Sequence, residues 1–134
     1  MSIRATDAAL LFLRISGSLL LFSVHGLPKL VHFSHELTVI EDPFNLGAPL
    51  TLSFALFAEA VCPLLIALGV MPRLSSVPIL ILLLVSLFFV HPSWTLEEGQ
   101  FGWLLLIVFT TLLIAGPGRY AVSSSAPGRG LIFQ

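Results

Sequence analysis

The sequence predicts an all-α protein, a bundle of four transmembrane helices, and three observations lead to this fold class. Of its 134 residues, 57% are hydrophobic and only 10% are charged, whereas a soluble domain carries roughly 25% charged residues. Four apolar segments approach the length of about 20 residues that a helix needs to cross the hydrocarbon core. None of them alternates between apolar and polar residues, as the strands of a membrane barrel would. We therefore expect lipid to surround most of the chain.

The predicted spans, in chain order, cover residues 8–27, 50–70, 75–90 and 101–115. The first contains Arg14, which the apolar region of a cleavable signal peptide would not normally carry, so we expect it to remain in the membrane. The third has about 16 residues and would stand nearly upright or thin the bilayer. Residues 1–122 are predicted to form the membrane domain, and residues 123–134 a flexible tail.

The charges in the connections predict the orientation of the bundle. Basic residues favour the cytoplasmic side, and they flank the four spans at both termini and in the second connection: Arg4, Arg73, Arg119 and Arg129. The first and third connections hold one lysine, Lys29, and five carboxylates: Glu36, Glu41, Asp42, Glu97 and Glu98. Both termini are therefore predicted to be cytoplasmic, with Arg73 in a structural cytoplasmic turn. The net charge of −1 does not favour a nucleic-acid partner.

Ionisable groups inside the spans are costly and usually face the interior of a bundle. A helical projection places one polar stripe on the first helix: Arg14, Ser18, His25 and His32. Mostly small residues lie along one face of the second helix and favour close packing: Ala55, Ala58, Glu59 and Cys62. At about 1.5 Å per residue, a long arginine side chain can cover most of the estimated difference in depth between Arg14 and Glu59. We therefore predict an ion pair between them inside the membrane.

Above Glu59, the sequence predicts a pocket that opens outward. Pro63 has no N–H for the carbonyl of Glu59, so the helix is expected to kink there. Lys29, His25 and His91 fall near the same ends of their helices and could line the pocket, as a headgroup site, a proton relay or a metal site. The alternative is that the two histidines are interfacial and hydrated. No HxxxH or CxxC spacing supports a metal site, and the single Cys62 excludes an internal disulfide.

Taken together, these residues resemble the DoxX family of small membrane proteins. The resemblance rests on "LRISGSLLLFSVHGLPKL", which holds Arg14 and then His25-Gly26-x-x-Lys29. It continues through Glu59, "LGVMPRLSS", His91 and "GPGRYAV", and so covers about residues 8 to 122. Two departures are Pro28, between Gly26 and Lys29, and the ending Tyr120-Ala-Val-Ser, where Tyr-Ser-Leu-Asp is common. The resemblance implies a four-helix bundle in the bacterial inner membrane or an archaeal membrane.

The resemblance also implies a function, because some relatives are subunits of thiosulfate:quinone oxidoreductase or accompany membrane oxidoreductases. The first hypothesis is a redox-associated, quinone-linked subunit, acting with a membrane or soluble oxidoreductase partner that supplies electrons. Its candidate ligand-binding or proton-handling residues are Arg14, His25, Lys29, Glu59 and His91. The alternative is a non-enzymatic protein for binding lipid or small amphiphiles or for membrane assembly. A transporter would need a homo-oligomer, because four helices are few.

Overall fold

The computed structural model of the protein describes residues 3–116 and residue 118, and within these ranges it contains five helices and no strand. Helix α1 covers residues 3–31 and joins three consecutive pieces, Ile3–Leu21, Phe22–Gly26 and Leu27–Val31. The other helices are α2, Phe33–Val39, α3, Ala48–Leu68, α4, Pro72–Val90, and α5, Gln100–Ala115. The all-α fold class is therefore confirmed. The predicted tail, residues 123–134, lies outside the described residues.

In the part of the chain that the structure describes, three helices are long and apolar enough to cross a membrane: Ala5–Val31, Ala48–Leu68 and Pro72–Val90. The prediction of a short third span was wrong, because α4 begins at Pro72 and has 19 residues. Proline suits the first turn of a helix, where an N–H has no intrahelical partner, and so the helix starts before the purely apolar run. The fourth predicted span matches α5, an apolar helix of 16 residues.

The four long helices pack as a ring in which α1 contacts α3 and α5, and α4 contacts the same two helices. Their shared core is built from fully buried side chains: Leu21, Ile66, Ile79, Phe109 and Leu112. The short α2 packs against the start of α3. We refer to the end where α3 joins α4 as the Arg73 end of the bundle, and to the opposite end as the Asp42 end.

Two arginines hold the Arg73 end together. Arg14 is buried, and its Nε donates a hydrogen bond to the carbonyl of Ala67 at 3.4 Å. Arg73 Nη2 donates to the carbonyl of Ile114 at 3.1 Å. Both carbonyls lie in the last turn of a helix, where they have no intrahelical donor and where the helix dipole favours a cation. The two side chains therefore cap α3 and α5.

Each of the three longest helices contains one π-turn, with hydrogen bonds from residue i+5 to residue i: Phe22–Gly26, Phe57–Val61 and Ser86–Val90. The second of these lies where the sequence predicts a kink. Pro63 cannot donate to the carbonyl of Glu59, and the chain adopts a π-turn whose closing bond runs from the Cys62 N–H to the Phe57 carbonyl. Such turns often occur at functional sites.

The connection between α2 and α3 is organised by the carboxylate of Asp42. Its Oδ1 accepts hydrogen bonds from the Leu46 N–H at 3.0 Å and the Thr51 hydroxyl at 2.8 Å. Its Oδ2 accepts from the Gly47 N–H at 2.7 Å. The hydrogen bond from Thr51, followed by those from Gly47 and Leu46, lowers the pKa of Asp42. One side chain thus ties the connection to the first turn of α3.

This network predicts that acid weakens the Asp42 end. A carboxyl group whose pKa is lower in the folded state stabilises the protein above its unfolded pKa, about 3.9 for Asp. That contribution is lost as the pH falls through the folded pKa. We expect Asp42→Asn to remove this part of the acid sensitivity, and Thr51→Val to reduce it, in thermal unfolding measured across the acid range. An unchanged pH profile in both variants would contradict the network.

Candidate functional site

The bundle encloses a cavity of about 690 Å³ in its half nearer the Asp42 end. Leucines form the floor: Leu21, Leu83 and Leu105. Polar side chains form the middle layer: His25, Lys29, Glu59 and Ser86. Carboxylates surround the mouth: Glu36, Glu41, Asp42 and Glu98. All three π-turns contribute to the lining, so the irregular parts of these helices meet around one space.

The middle layer contains an ion pair between Lys29 and Glu59. Lys29 Nζ lies 2.6 Å from Glu59 Oε2, and the two side chains are only 18% and 9% exposed. Lys29 Nζ also lies 3.4 Å from the carbonyl of His25, one turn earlier in α1. Among the described residues no second donor reaches Glu59 Oε2. Of the described cationic side chains, Lys29 is therefore the one that forms an ion pair with the carboxylate.

The predicted pair between Arg14 and Glu59 was wrong. Arg14 lies at the Arg73 end and donates to the carbonyl of Ala67, two turns beyond Glu59 along α3. The prediction considered only the reach of the arginine side chain. It did not consider the carbonyls at the end of α3, which attract the guanidinium over a shorter distance. Lys29 was predicted to lie above Glu59 in the pocket, and it is the cation that Glu59 contacts.

Close packing of α1 against α3 allows this contact. A Cβ atom added to Gly26 would overlap the backbone carbonyl of Glu59. Gly26 therefore lies directly against α3, and the next turn of α1 brings Lys29 to the level of the carboxylate. Only glycine allows this approach, because every other residue carries a Cβ.

Both predicted histidines line the cavity, and each stacks on an aromatic ring. The rings of His25 and Phe101 have centroids 5.5 Å apart at an interplanar angle of 26°. Those of His91 and Trp94 are 3.7 Å apart and nearly parallel, at 4°. The stacking fixes the ring planes and leaves imidazole nitrogens as potential donors and acceptors. Within residues 3–116 and 118, no group of three or more His, Cys, Asp and Glu side chains could hold a metal ion.

The six predicted site residues thus fall into two groups. His25, Lys29, Glu59 and His91 line one cavity, whereas Arg14 and Arg73 cap helices at the other end. Sequence reasoning missed Ser86 and Phe101. A hydroxyl within the apolar run of α4 was a usable signal for Ser86. Phe101 carried none, because it is one phenylalanine among 11.

A comparison with protein families gives a match to DoxX over residues 9–92. The chain belongs to the DoxX family. The matched region runs from α1 to the residue after His91, and it contains His25, Lys29 and Glu59 together with all three π-turns. It ends before α5, which supplies Phe101 to the cavity of this DoxX protein. No curated protein and no solved structure matches the chain.

Proposed function

We propose that this DoxX protein binds a quinone ring in its cavity and acts as a quinone-linked subunit of a membrane oxidoreductase system. The observation that carries the proposal is the Lys29–Glu59 pair, held at 2.6 Å inside a largely apolar cavity. A lysine ammonium has three N–H donors, of which one faces Glu59 and one the carbonyl of His25. The remaining donor, together with His25 and His91, suits the carbonyl oxygens of a quinone.

The residues around the pair also suit proton handling. Lys29 and Glu59 are close enough to exchange a proton, which is the geometry that general acid–base chemistry requires. His25 lies one turn from Lys29 on the same face of α1, and its ring faces the same cavity. The residues described here bind and orient the ligand and hold a proton near its oxygen. Electrons would come from a partner protein.

A binding experiment tests this function with the protein's own fluorescence. Trp94 lines the cavity and Trp103 does not, so Trp103→Phe leaves a reporter at the site and Trp94→Phe leaves a reporter outside it. In nanodiscs, we expect decylubiquinone to quench Trp94 saturably at concentrations that barely affect Trp103. His25→Phe retains a ring against Phe101 and removes the imidazole nitrogens, and it should weaken the quenching. Equal quenching of both tryptophans would mean simple partitioning into lipid and would refute the site.

The second candidate function is the binding of a lipid or amphiphile without redox chemistry, or a role in assembly. It is favoured by the mostly apolar walls of the cavity and by the pair itself, which joins α1 to α3. Glu59→Gln separates the candidates. A purely structural role predicts loss of folded protein, whereas a quinone-linked role predicts folded protein with weaker quenching of Trp94. Co-purification of the folded protein with an oxidoreductase would favour the quinone-linked role.

The proposed function includes a topology of four spans in the bacterial inner membrane, with both termini cytoplasmic. It is supported by the position of α5 within the same ring of helices and by its 16 residues, which extend about 24 Å. Arg14 and Arg73 lie at the Arg73 end, which the bias of basic residues toward the cytoplasm would make the cytoplasmic end. Five of the seven acidic residues lie in the connections at the Asp42 end: Glu36, Glu41, Asp42, Glu97 and Glu98.

Cysteine labelling tests this topology. In a Cys62→Ala background, Ser93→Cys lies in the exposed connection before α5, and Met71→Cys lies in the connection between α3 and α4. We expect a membrane-impermeant maleimide to label the first variant in intact spheroplasts and the second only after permeabilisation. The reverse pattern would mean that the bundle has the opposite orientation in the membrane. Labelling of both variants from outside would mean that α4 does not cross the membrane.

A further inference from the structure

Helices α3 and α4 diverge toward the Asp42 end. The segments Cys62–Leu68 and Pro72–Val85 pack closely, whereas Ala48–Leu56 packs at most weakly against Ser86–Val90. At the Asp42 end, Phe44 of the connection before α3 packs on Phe89 of α4, with ring centroids 5.4 Å apart. The two helices thus leave a gap in the side of the bundle, below that aromatic contact.

The cavity reaches this gap. Phe54 of α3 and Ile81 of α4 both line the cavity, and they remain 39% and 47% exposed. Leu82 and Val85 continue the same apolar edge along α4. On a chain surrounded by lipid, side chains that line a cavity and are also exposed mark a route between the cavity and the acyl chains.

The charges of the lining oppose an anionic ligand. Four carboxylates surround the mouth, and the lining contains a single lysine, whose charge is balanced by Glu59. Glu98 is held in place by the Thr95 N–H at 3.2 Å, and Asp42 by the network at the start of α3. Unscreened repulsion extends about 10 Å at ordinary ionic strength, so these fixed charges act across the mouth.

We propose that the site selects uncharged amphiphiles dissolved in the membrane, which enter sideways between α3 and α4, and that the carboxylates at the mouth exclude anionic amphiphiles. This inference rests on the proposed function and names the ligand class of the same cavity. An uncharged head with oxygen acceptors matches the remaining donor of Lys29 and the two histidines. Its apolar tail lies between Phe54 and Ile81 and extends into lipid.

Two probes of equal chain length test the selectivity in phosphatidylcholine nanodiscs: 2-bromododecan-1-ol and 2-bromododecane-1-sulfonate. Both carry the bromine next to the head group, and the charge of the sulfonate does not titrate. Bromine quenches tryptophan on contact, so Trp94 reports the cavity in Trp103→Phe, and Trp103 reports partitioning in Trp94→Phe. After correction for partitioning, we expect half-quenching of Trp94 to require about tenfold more sulfonate than alcohol, a difference of about 1.4 kcal/mol. Equal corrected values would refute the selectivity and leave the binding site intact. If neither probe quenches Trp94 beyond Trp103 while decylubiquinone does, the inference fails and the quinone site stands. If decylubiquinone fails as well, the proposed function itself fails.

Two sets of variants separate the mouth from the gap. Glu36→Gln with Glu41→Gln should reduce the difference between sulfonate and alcohol in the concentration that half-quenches Trp94, because two negative charges are removed from the mouth. These two carboxylates are chosen because neither takes part in the Asp42 network. Ile81→Phe with Val85→Phe should slow the onset of quenching by the alcohol in stopped-flow measurements. Ile107→Phe, on an exposed face of α5 outside the cavity lining, is the matched control. If the alcohol enters through the mouth, the rate at which quenching begins will be unchanged in Ile81→Phe with Val85→Phe. That result would refute the lateral route.

Discussion

Replacing Lys29 by methionine is expected to lower the free energy of unfolding by about 3 kcal/mol, the lower end of the range for a broken buried ion pair. The variant leaves the Glu59 carboxylate, whose side chain is 9% exposed, without its ion-pair partner. The lower end applies because the cavity opens at its mouth, so water can reach the stranded group. Reversible unfolding in mixed micelles with sodium dodecyl sulfate, followed by tryptophan fluorescence, measures the change.

A double-mutant cycle provides the control for this prediction. Lys29→Met combined with Glu59→Gln should recover much of the loss, because the second change removes the stranded charge. The effects of Arg14→Met and Glu59→Gln on the free energy of unfolding should instead add to within about 0.5 kcal/mol, as is usual for sites that share no contact. Strong coupling of Glu59 to Arg14, without coupling to Lys29, would contradict the pairing seen in the structure.

The fold of this protein follows from its sequence because a membrane simplifies the problem. Long apolar runs have to form helices, since lipid offers no partners to backbone groups. The helices α1, α3 and α4 therefore appear where the runs lie. The errors arise at the ends, where α4 gains Pro72 and α1 continues past Pro28 to Val31. Pro72 stands in the first turn of α4, where a proline is tolerated, and Pro28 lies just after the π-turn Phe22–Gly26. Hydropathy alone therefore misplaces both boundaries.

The candidate site was only partly predictable, for a different reason. A helical projection with a constant angle per residue shows which residues share a face, and it correctly placed Glu59 toward the interior. It assumes regular helices, yet three π-turns interrupt them within the site. Each π-turn shifts the register of everything beyond it. The contact between Lys29 and Glu59 and the approach of Gly26 depend on those shifts, which no pattern of hydrophobicity reveals.

Replacing Gly26 by alanine should be as damaging as breaking the ion pair, although it changes no charge. The new Cβ would overlap the Glu59 carbonyl, which belongs to the helix backbone and cannot move alone. Helices α1 and α3 must separate, at a cost of about 3 kcal/mol, the upper part of the usual range for overpacking. Because Lys29 reaches Glu59 only through this close approach, the coupling energy between them should also fall. The double-mutant cycle, repeated in the Gly26→Ala background, measures that loss.

Gly102→Ala separates this steric effect from the general effect of placing alanine in a helix. A Cβ there would lie 3.1 Å from Leu87 Cδ2, the far end of a flexible side chain that also lines the cavity. Leu87 can move aside, and alanine gains up to about 1 kcal/mol of helix propensity over glycine, so we expect little net change. If Gly26→Ala unfolds no more easily than Gly102→Ala and retains the Lys29–Glu59 coupling, the contact between α1 and α3 does not hold the pair together. If Gly26→Ala loses both stability and coupling, the absence of a Cβ at Gly26 is what allows Lys29 to reach Glu59.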